Sequence, residues 1–155
     1  MKNNCILFIG LQASGKTTFY QQQFPDLVHV NLDTLHTRNK ERLLIEKCFA
    51  SGSSFVVDNT NPTAKIRAGY IEPAKQHGYR VIGFYFQSSI SVCKERNSRR
   101  TGKALIPVAA LAATHRILEL PQWAEGYDEL YYVRIEKDQF VVEPWNNEEE
   151  QTNEV

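Results

Sequence analysis

The sequence predicts an α/β fold in which a mostly parallel central sheet lies between layers of helices. Three observations predict it. Short apolar runs alternate with helical stretches, the connections between them are short, and a glycine-rich loop stands where the first run passes into the first helix. Residues 5–9 form a continuous apolar run ending at Gly10, as a buried strand requires. Residues 15–23 read as a helix stopped by Pro25, and residues 27–31 as a second strand. Residues 34–50 carry Leu35, Leu43, Leu44, Cys48 and Phe49 and end at Ser51-Gly52, a helix with a glycine stop; here Thr34 starts the pattern and Asp33 is placed to cap it. Residues 54–57 give a third strand. Residues 62–77 give a helix with a kink at Pro73 and a stop at Gly78. Arg80–Phe86 is a β-branched and aromatic strand, residues 90–99 and 107–118 are helical, and residues 129–135 and 139–142 close the fold around a Lys137-Asp138 turn.

One domain is expected over residues 1–145, since 155 residues suit a single core and neither an internal repeat nor an interdomain linker is visible. A 42% hydrophobic share excludes a disordered chain, and no apolar run approaches the ~20 residues of a membrane helix. The apolar start lacks a cleavage-site pattern and reads as a strand rather than a signal peptide. Cys5, Cys48 and Cys93 are far apart and odd in number, which fits buried free thiols and a cytoplasmic location. Net charge is zero, but residues 146–155 hold four acids and no base, an expected disordered tail; without them 18 bases face 14 acids. Much of that excess sits in residues 94–103, with five bases and one acid.

After the first strand comes Gly10-Leu11-Gln12-Ala13-Ser14-Gly15-Lys16-Thr17, a complete G-x-x-x-x-G-K-T between a predicted strand and a predicted helix. Its glycines let backbone N–H groups turn inward around phosphate oxygens, and the helix start adds its positive dipole end. Lys16 is suited to the β- and γ-phosphates and the Thr17 hydroxyl to Mg²⁺, with Gly10, Ala13, Ser14, Gly15 and Thr18 forming the rest of the cradle. A dinucleotide fingerprint would need glycine at Gln12. The pattern therefore points to nucleoside triphosphate binding in a P-loop NTPase sandwich.

Two aspartates stand at strand ends, where a parallel sheet opens its ligand crevice. Val56-Val57-Asp58 has the form of a Walker-B strand whose carboxylate organises Mg²⁺. Asp33 follows the second strand. It has two compatible roles on spacing alone: a helix cap, which spacing favours, or a group that orients an attacking hydroxyl and takes its proton. In the basic segment Arg96 and Arg100 share a helix face while Arg99 points elsewhere, and Gly102 lets the helix end open into a loop. Such arginines form a lid over the phosphates, grip a substrate, or simply line a solvated face. His29, His36, His77 and His115 lack metal-ligand spacing and read as surface or core residues. Asn59, Thr60 and Asn61 line the crevice or form a turn, and Arg67 and Tyr70 share one helix face that meets substrate or solvent.

Taken together, residues 10–17, Asn31-Leu32-Asp33-Thr34, the run from Val57 to Pro62, Arg96-Asn97-Ser98-Arg99-Arg100 and Ala124-Glu125-Gly126-Tyr127-Asp128 resemble the polynucleotide 5′-kinase family. The resemblance runs from about residue 5 to residue 135, in the family's order. It implies a P-loop kinase that moves the γ-phosphate of ATP to a 5′-hydroxyl. It gives Asp33 the general-base role, Lys16 and Thr17 the phosphate and metal contacts, Asp58 an active-site carboxylate and Arg100 the lid arginine, with Arg96 a further lid cation. The family commonly has Arg immediately before the base, where this chain has Leu32. Its phage pattern has Arg three residues after the base, at the position of His36, with Arg38 out of register. These departures touch the grip on a polynucleotide, not the chemistry. The Asp-x-Asp-x-Thr pattern of the attached phosphatase is absent.

The expected function is therefore an ATP- and Mg²⁺-dependent kinase acting on a polynucleotide 5′-hydroxyl, with His36, Asn59, Thr60 and Arg67 beside the acceptor. A small-molecule kinase on the same scaffold and a non-catalytic nucleotide-binding module are the alternatives. Neither a membrane nor an obligate protein partner is expected.

Overall fold

A computed structural model describes residues 3–146. The chain runs β1 (Asn4–Ile9), α1 (Lys16–Gln23), β2 (Val28–Val30), α2 (Leu32–Leu35), α3 (Arg38–Ser51), β3 (Phe55–Val57), α4 (Ala64–Gln76), β4 (Arg80–Phe86), α5 (Ile90–Ser98), α6 (Val108–Ile117), β5 (Glu129–Glu136) and β6 (Gln139–Pro144). Short 3-10 turns cover Gly102–Ala104 and Trp123–Glu125. The strands form one sheet in the order β2-β3-β1-β4-β5-β6. The first five are parallel and β6 returns antiparallel to β5. Lys137 and Asp138, both at positive φ (50° and 63°), make the two-residue turn of that hairpin. This is the expected three-layer α/β sandwich.

Strand periodicity explains why β1 is apolar from Cys5 to Ile9. Cys5, Leu7 and Ile9 enter the core beneath α3 and α4, together with Phe55, Tyr70, Ile71 and Tyr79. Ile6 and Phe8 enter the opposite core, where Phe19 of α1 meets Phe8, Phe84, Phe86 and Phe140 largely edge to face. Both faces are thus covered, and the ligand crevice is left at the carboxyl ends of β1, β2 and β3. A third, small cluster (Leu11, Cys93, Leu111) seats α5 and α6 over that end. The three cysteines are buried, and burial pushes the Cys5 thiol up to about 12. Among the described residues no helix is long and apolar enough to cross a membrane.

The helix expected over residues 34–50 is instead two. His36 adopts a left-handed conformation (φ 71°) and separates α2 from α3. The cap is also different. Asn31 Oδ1 accepts from the Thr34 N–H at 3.2 Å, so Asp33 lies inside α2 and is relieved of capping. The acidic stretch 146–155 falls, apart from Asn146, outside the described residues.

Candidate active site

The loop after β1 is held open by its neighbours. Gly10 N donates to the Thr60 carbonyl at 3.0 Å, and Leu11 N to Ser88 Oγ at 3.0 Å, tying the loop to the ends of β3 and β4. A Cβ on Gly10 would stand 3.1 Å from Phe86 and Ser88, and one on Gly15 (φ 97°) 3.1 Å from Phe140. Lys16 begins α1 with its side chain folded into the loop, where Nζ donates to the Leu11 and Gly10 carbonyls at 2.6 and 3.0 Å. Burial pushes its pKa down to about 8, against the opposing pull of Asp58.

Three groups converge on Asp58, which is 2% exposed at the end of β3. Thr17 Oγ1 donates to Asp58 Oδ2 at 2.8 Å, and His29 Nε2 lies 2.8 Å from the same oxygen. The His29 ring stacks on Tyr20 at 3.9 Å. Asn31 Nδ2 donates to the Asp58 carbonyl at 2.7 Å, so the ends of β2 and β3 are locked together. Thr17 and Asp58 offer the hard oxygen donors that Mg²⁺ takes alongside phosphate oxygens and water. Among the described residues no cluster of three or more His, Cys, Asp or Glu forms a protein-only metal cage.

Asp33 is exposed on α2 and shares a cavity of about 320 Å³ with Gln12, Lys16, Thr17, Asp58, Thr60 and Arg100. On its lid side Arg100 also borders a second cavity of about 540 Å³, where Arg96, Arg99, Gly15, Thr18 and the β5–β6 turn meet. Arg100 thus stands between the two. Its approach is set by Asn97, which is 2% exposed: Nδ2 donates to the Ile106 carbonyl at 2.6 Å and Oδ1 accepts the Ile106 N–H at 2.8 Å, closing the loop that follows α5. Arg100 Nη1 donates to the Ala104 carbonyl at 3.2 Å within the same loop.

A protein family described as AAA domain matches residues 5–121. The chain belongs to that family. Over 150 residues it is 28% identical to a protein of Acanthamoeba polyphaga mimivirus named as a bifunctional polynucleotide phosphatase/kinase, covering 92% of this chain and 36% of that protein. Over 146 residues it is 25% identical to a bifunctional polynucleotide phosphatase/kinase of Schizosaccharomyces pombe, covering 91% and 36%. The chain therefore spans 36% of the length of each relative. Among solved structures, that of Chaetomium thermophilum Kti12 in complex with ADP-AlF3 superposes with a TM-score of 0.66 at 14% identity, covering 96% of this chain and 94% of that one. This last likeness is one of fold, and it agrees with the P-loop NTPase architecture.

Not every residue expected at the site of this AAA domain is there. Arg67 is a correction: its side chain is 0% exposed, with Nε and Nη2 on the Glu125 carboxylate at 2.7 and 3.1 Å and Nη1 on the Asn61 and Glu119 carbonyls. It has no face left for a substrate. His36 is exposed as the C-cap of α2 and borders neither of the two cavities. Asn59 and Thr60 do line the smaller cavity, but both of Asn59's amide atoms are engaged within the protein. Arg99 shares the lid cavity with Arg96, contrary to the helical projection, because α5 ends at Ser98. His29 is more than an ordinary core residue, since it abuts Asp58. Its only sequence signal was its place in the second strand, pointing to the face that holds α1.

Proposed function

We propose that the chain is an ATP-dependent kinase that phosphorylates a hydroxyl, most specifically the 5′-hydroxyl of a polynucleotide. The single observation that carries this is the shared cavity: the P-loop lysine, the Asp58–Thr17 pair, the Asp33 carboxylate and Arg100 all border one space. A nucleotide-binding module has no use for a free carboxylate opposite its phosphate cradle. The relatives matched over nine-tenths of the chain are named for polynucleotide kinase activity, which supports the choice of acceptor.

In this mechanism the triphosphate lies along residues 10–17, its charge met by loop N–H groups, the α1 N-terminus and the Lys16 ammonium. Thr17 and Asp58 would hold Mg²⁺, which supplies neutralisation of phosphate charge when bound. The acceptor hydroxyl rests against Asp33. Its oxygen forms a bond to the γ-phosphorus as the bond from that phosphorus to the β-bridging oxygen breaks, the hydroxyl proton passes to Asp33, and ADP leaves. A carboxylate is a weak base towards a ground-state alcohol, but the attacking oxygen becomes acidic late in a loose transition state, where a placed acceptor is worth about 10²–10⁴ in rate. Arg100 moves with the lid loop and meets the charge of the transferring group.

The test is incubation of the protein with γ-labelled ATP and 5′-hydroxyl RNA, 5′-hydroxyl DNA or a panel of small alcohols. Label on an oligonucleotide that is lost in Arg100→Ala is the expected result; label on none of these acceptors overturns the proposal. One observation favours a small acceptor instead. Among the described residues, Lys16 and Arg100 are the two cations bordering the acceptor cavity; both are committed to the donor's phosphates, and Leu32 and His36 add no third. A polynucleotide acceptor makes transfer fall steeply with salt, whereas a neutral small acceptor does not.

A further inference from the structure

Glu41 lies in the first turn of α3, where an exposed acid would do no more than favour the helix dipole. This one is 5% exposed, and both of its oxygens are engaged. Oε2 accepts from Asn59 Nδ2 at 2.9 Å. Oε1 accepts from the Tyr70 hydroxyl at 2.8 Å and from Arg38 Nη1 at 3.2 Å, and Arg38 Nη1 also donates to the Tyr70 oxygen at 2.8 Å. Burial, reinforced by Glu41, pushes Tyr70 up to about 12, so the phenol keeps the proton it donates.

The other end of Asn59 reaches the site. Its Oδ1 accepts from the Leu32 N–H at 3.0 Å, the first amide of α2. A carboxylate can only accept, so Glu41 forces the nitrogen of Asn59 towards itself and the oxygen towards Leu32. Helix α2 is a single turn of four residues, too short to hold its own direction, and the next residue after Leu32 is Asp33.

We infer that Glu41 is a positioning residue: through the Asn59 amide it pins the first turn of α2 and so aims Asp33 into the acceptor cavity. Glu41 does not itself border that cavity. The inference rests on Asp33 being the group that receives the acceptor hydroxyl.

Glu41→Gln keeps the shape and breaks the logic. With its nitrogen towards Asn59 it turns that amide over and sets nitrogen against the Leu32 N–H; with its oxygen there it faces Arg38 with a donor. Two readouts test this on the full chain. Amide exchange at Leu32, followed by NMR, should quicken about tenfold or more in Glu41→Gln while amides of β1 and β4 hold their protection. The kcat for transfer should fall about 10²-fold with the KM for ATP within about twofold, because the donor site is intact. In an Asp33→Asn background the same change should cost nothing further. An equal fractional loss in both backgrounds, or a rise in ATP KM that tracks lost stability, means that Glu41 is merely structural. If Asp33→Asn retains full transfer, the base assignment fails and takes this proposal with it. If Asp33→Asn abolishes transfer while Glu41→Gln changes neither kcat nor Leu32 exchange, this proposal alone fails.

Discussion

Gly15 and Lys16 show how individual residues make the cradle. Gly15 sits at φ 97° with Phe140 and Ile135 packed where a side chain would project, 3.1 and 3.2 Å from an added Cβ. Gly15→Ala therefore strains the backbone and crowds the β5–β6 hairpin; calorimetry should show ATP affinity falling about tenfold or more while circular dichroism keeps its native form. Lys16 carries a pH signature. Its folded pKa of about 8 lies below the ordinary 10.5, so the unfolded chain binds more protons between those values, and its contribution to the stability of the ligand-free protein rises with pH across that window. An arriving triphosphate reverses the shift. ATP binding at pH 8 should take up about half a proton per nucleotide and progressively less below pH 7, measured by calorimetry in buffers of different ionisation heat. These two residues were legible in the sequence because the loop's chemistry is contiguous. His29 and Glu41 were not: each meets a partner 29 or 18 residues away, Asp58 and Asn59 respectively, and no local pattern reports such a meeting.

At the level of elements, the strands were legible to within a residue or two: β1, β3 and most of β4 are buried on both faces and leave apolar runs, while the more exposed β5 and β6 are marked by aromatic and β-branched residues around the Lys137-Asp138 turn. The break between α2 and α3 was not. No glycine or proline marks it; His36 takes the left-handed turn, and α2 survives through the Asn31 and Asn59 side chains rather than through propensity. Arg67 was misplaced for a related reason, since its helix face was readable and the segment that covers the face was not. Its link from α4 to the Trp123–Glu125 turn makes a stability prediction. Burial alone would raise the Glu125 pKa, but hydrogen bonds and charge from Arg67 outweigh it and hold the carboxyl below its usual range. Arg67→Met strands that carboxylate and should cost about 3–5 kcal/mol in denaturant unfolding with the KM for ATP unchanged. The folded pKa is the depressed one, so the pair's contribution is full above the ordinary carboxylate range and is lost as pH falls through the folded value. The gap between wild type and Arg67→Met should narrow in acid accordingly.

Across the whole molecule, the sheet order brings the ends of β1, β2 and β3 side by side, and so collects on one crevice the glycine-rich loop, the hydrogen-bonded Thr17–Asp58 pair and the Asp33 carboxylate, which lie far apart in the chain. The order of the motifs was readable in advance; their closure around one cavity is a property of the fold. Cavity size and charge at the acceptor end then decide what enters, and the family relationship alone does not fix that. The most direct measurement compares γ-phosphate transfer to a 5′-hydroxyl oligonucleotide with ATP affinity, in the wild type and in Asp33→Asn. Asp33→Asn should lose about 10²–10⁴ in transfer rate while binding ATP within about twofold of the wild type. Undiminished labelling by Asp33→Asn, or an ATP-bound wild type that labels no hydroxyl at all, would contradict a carboxylate acting at the far side of the phosphate.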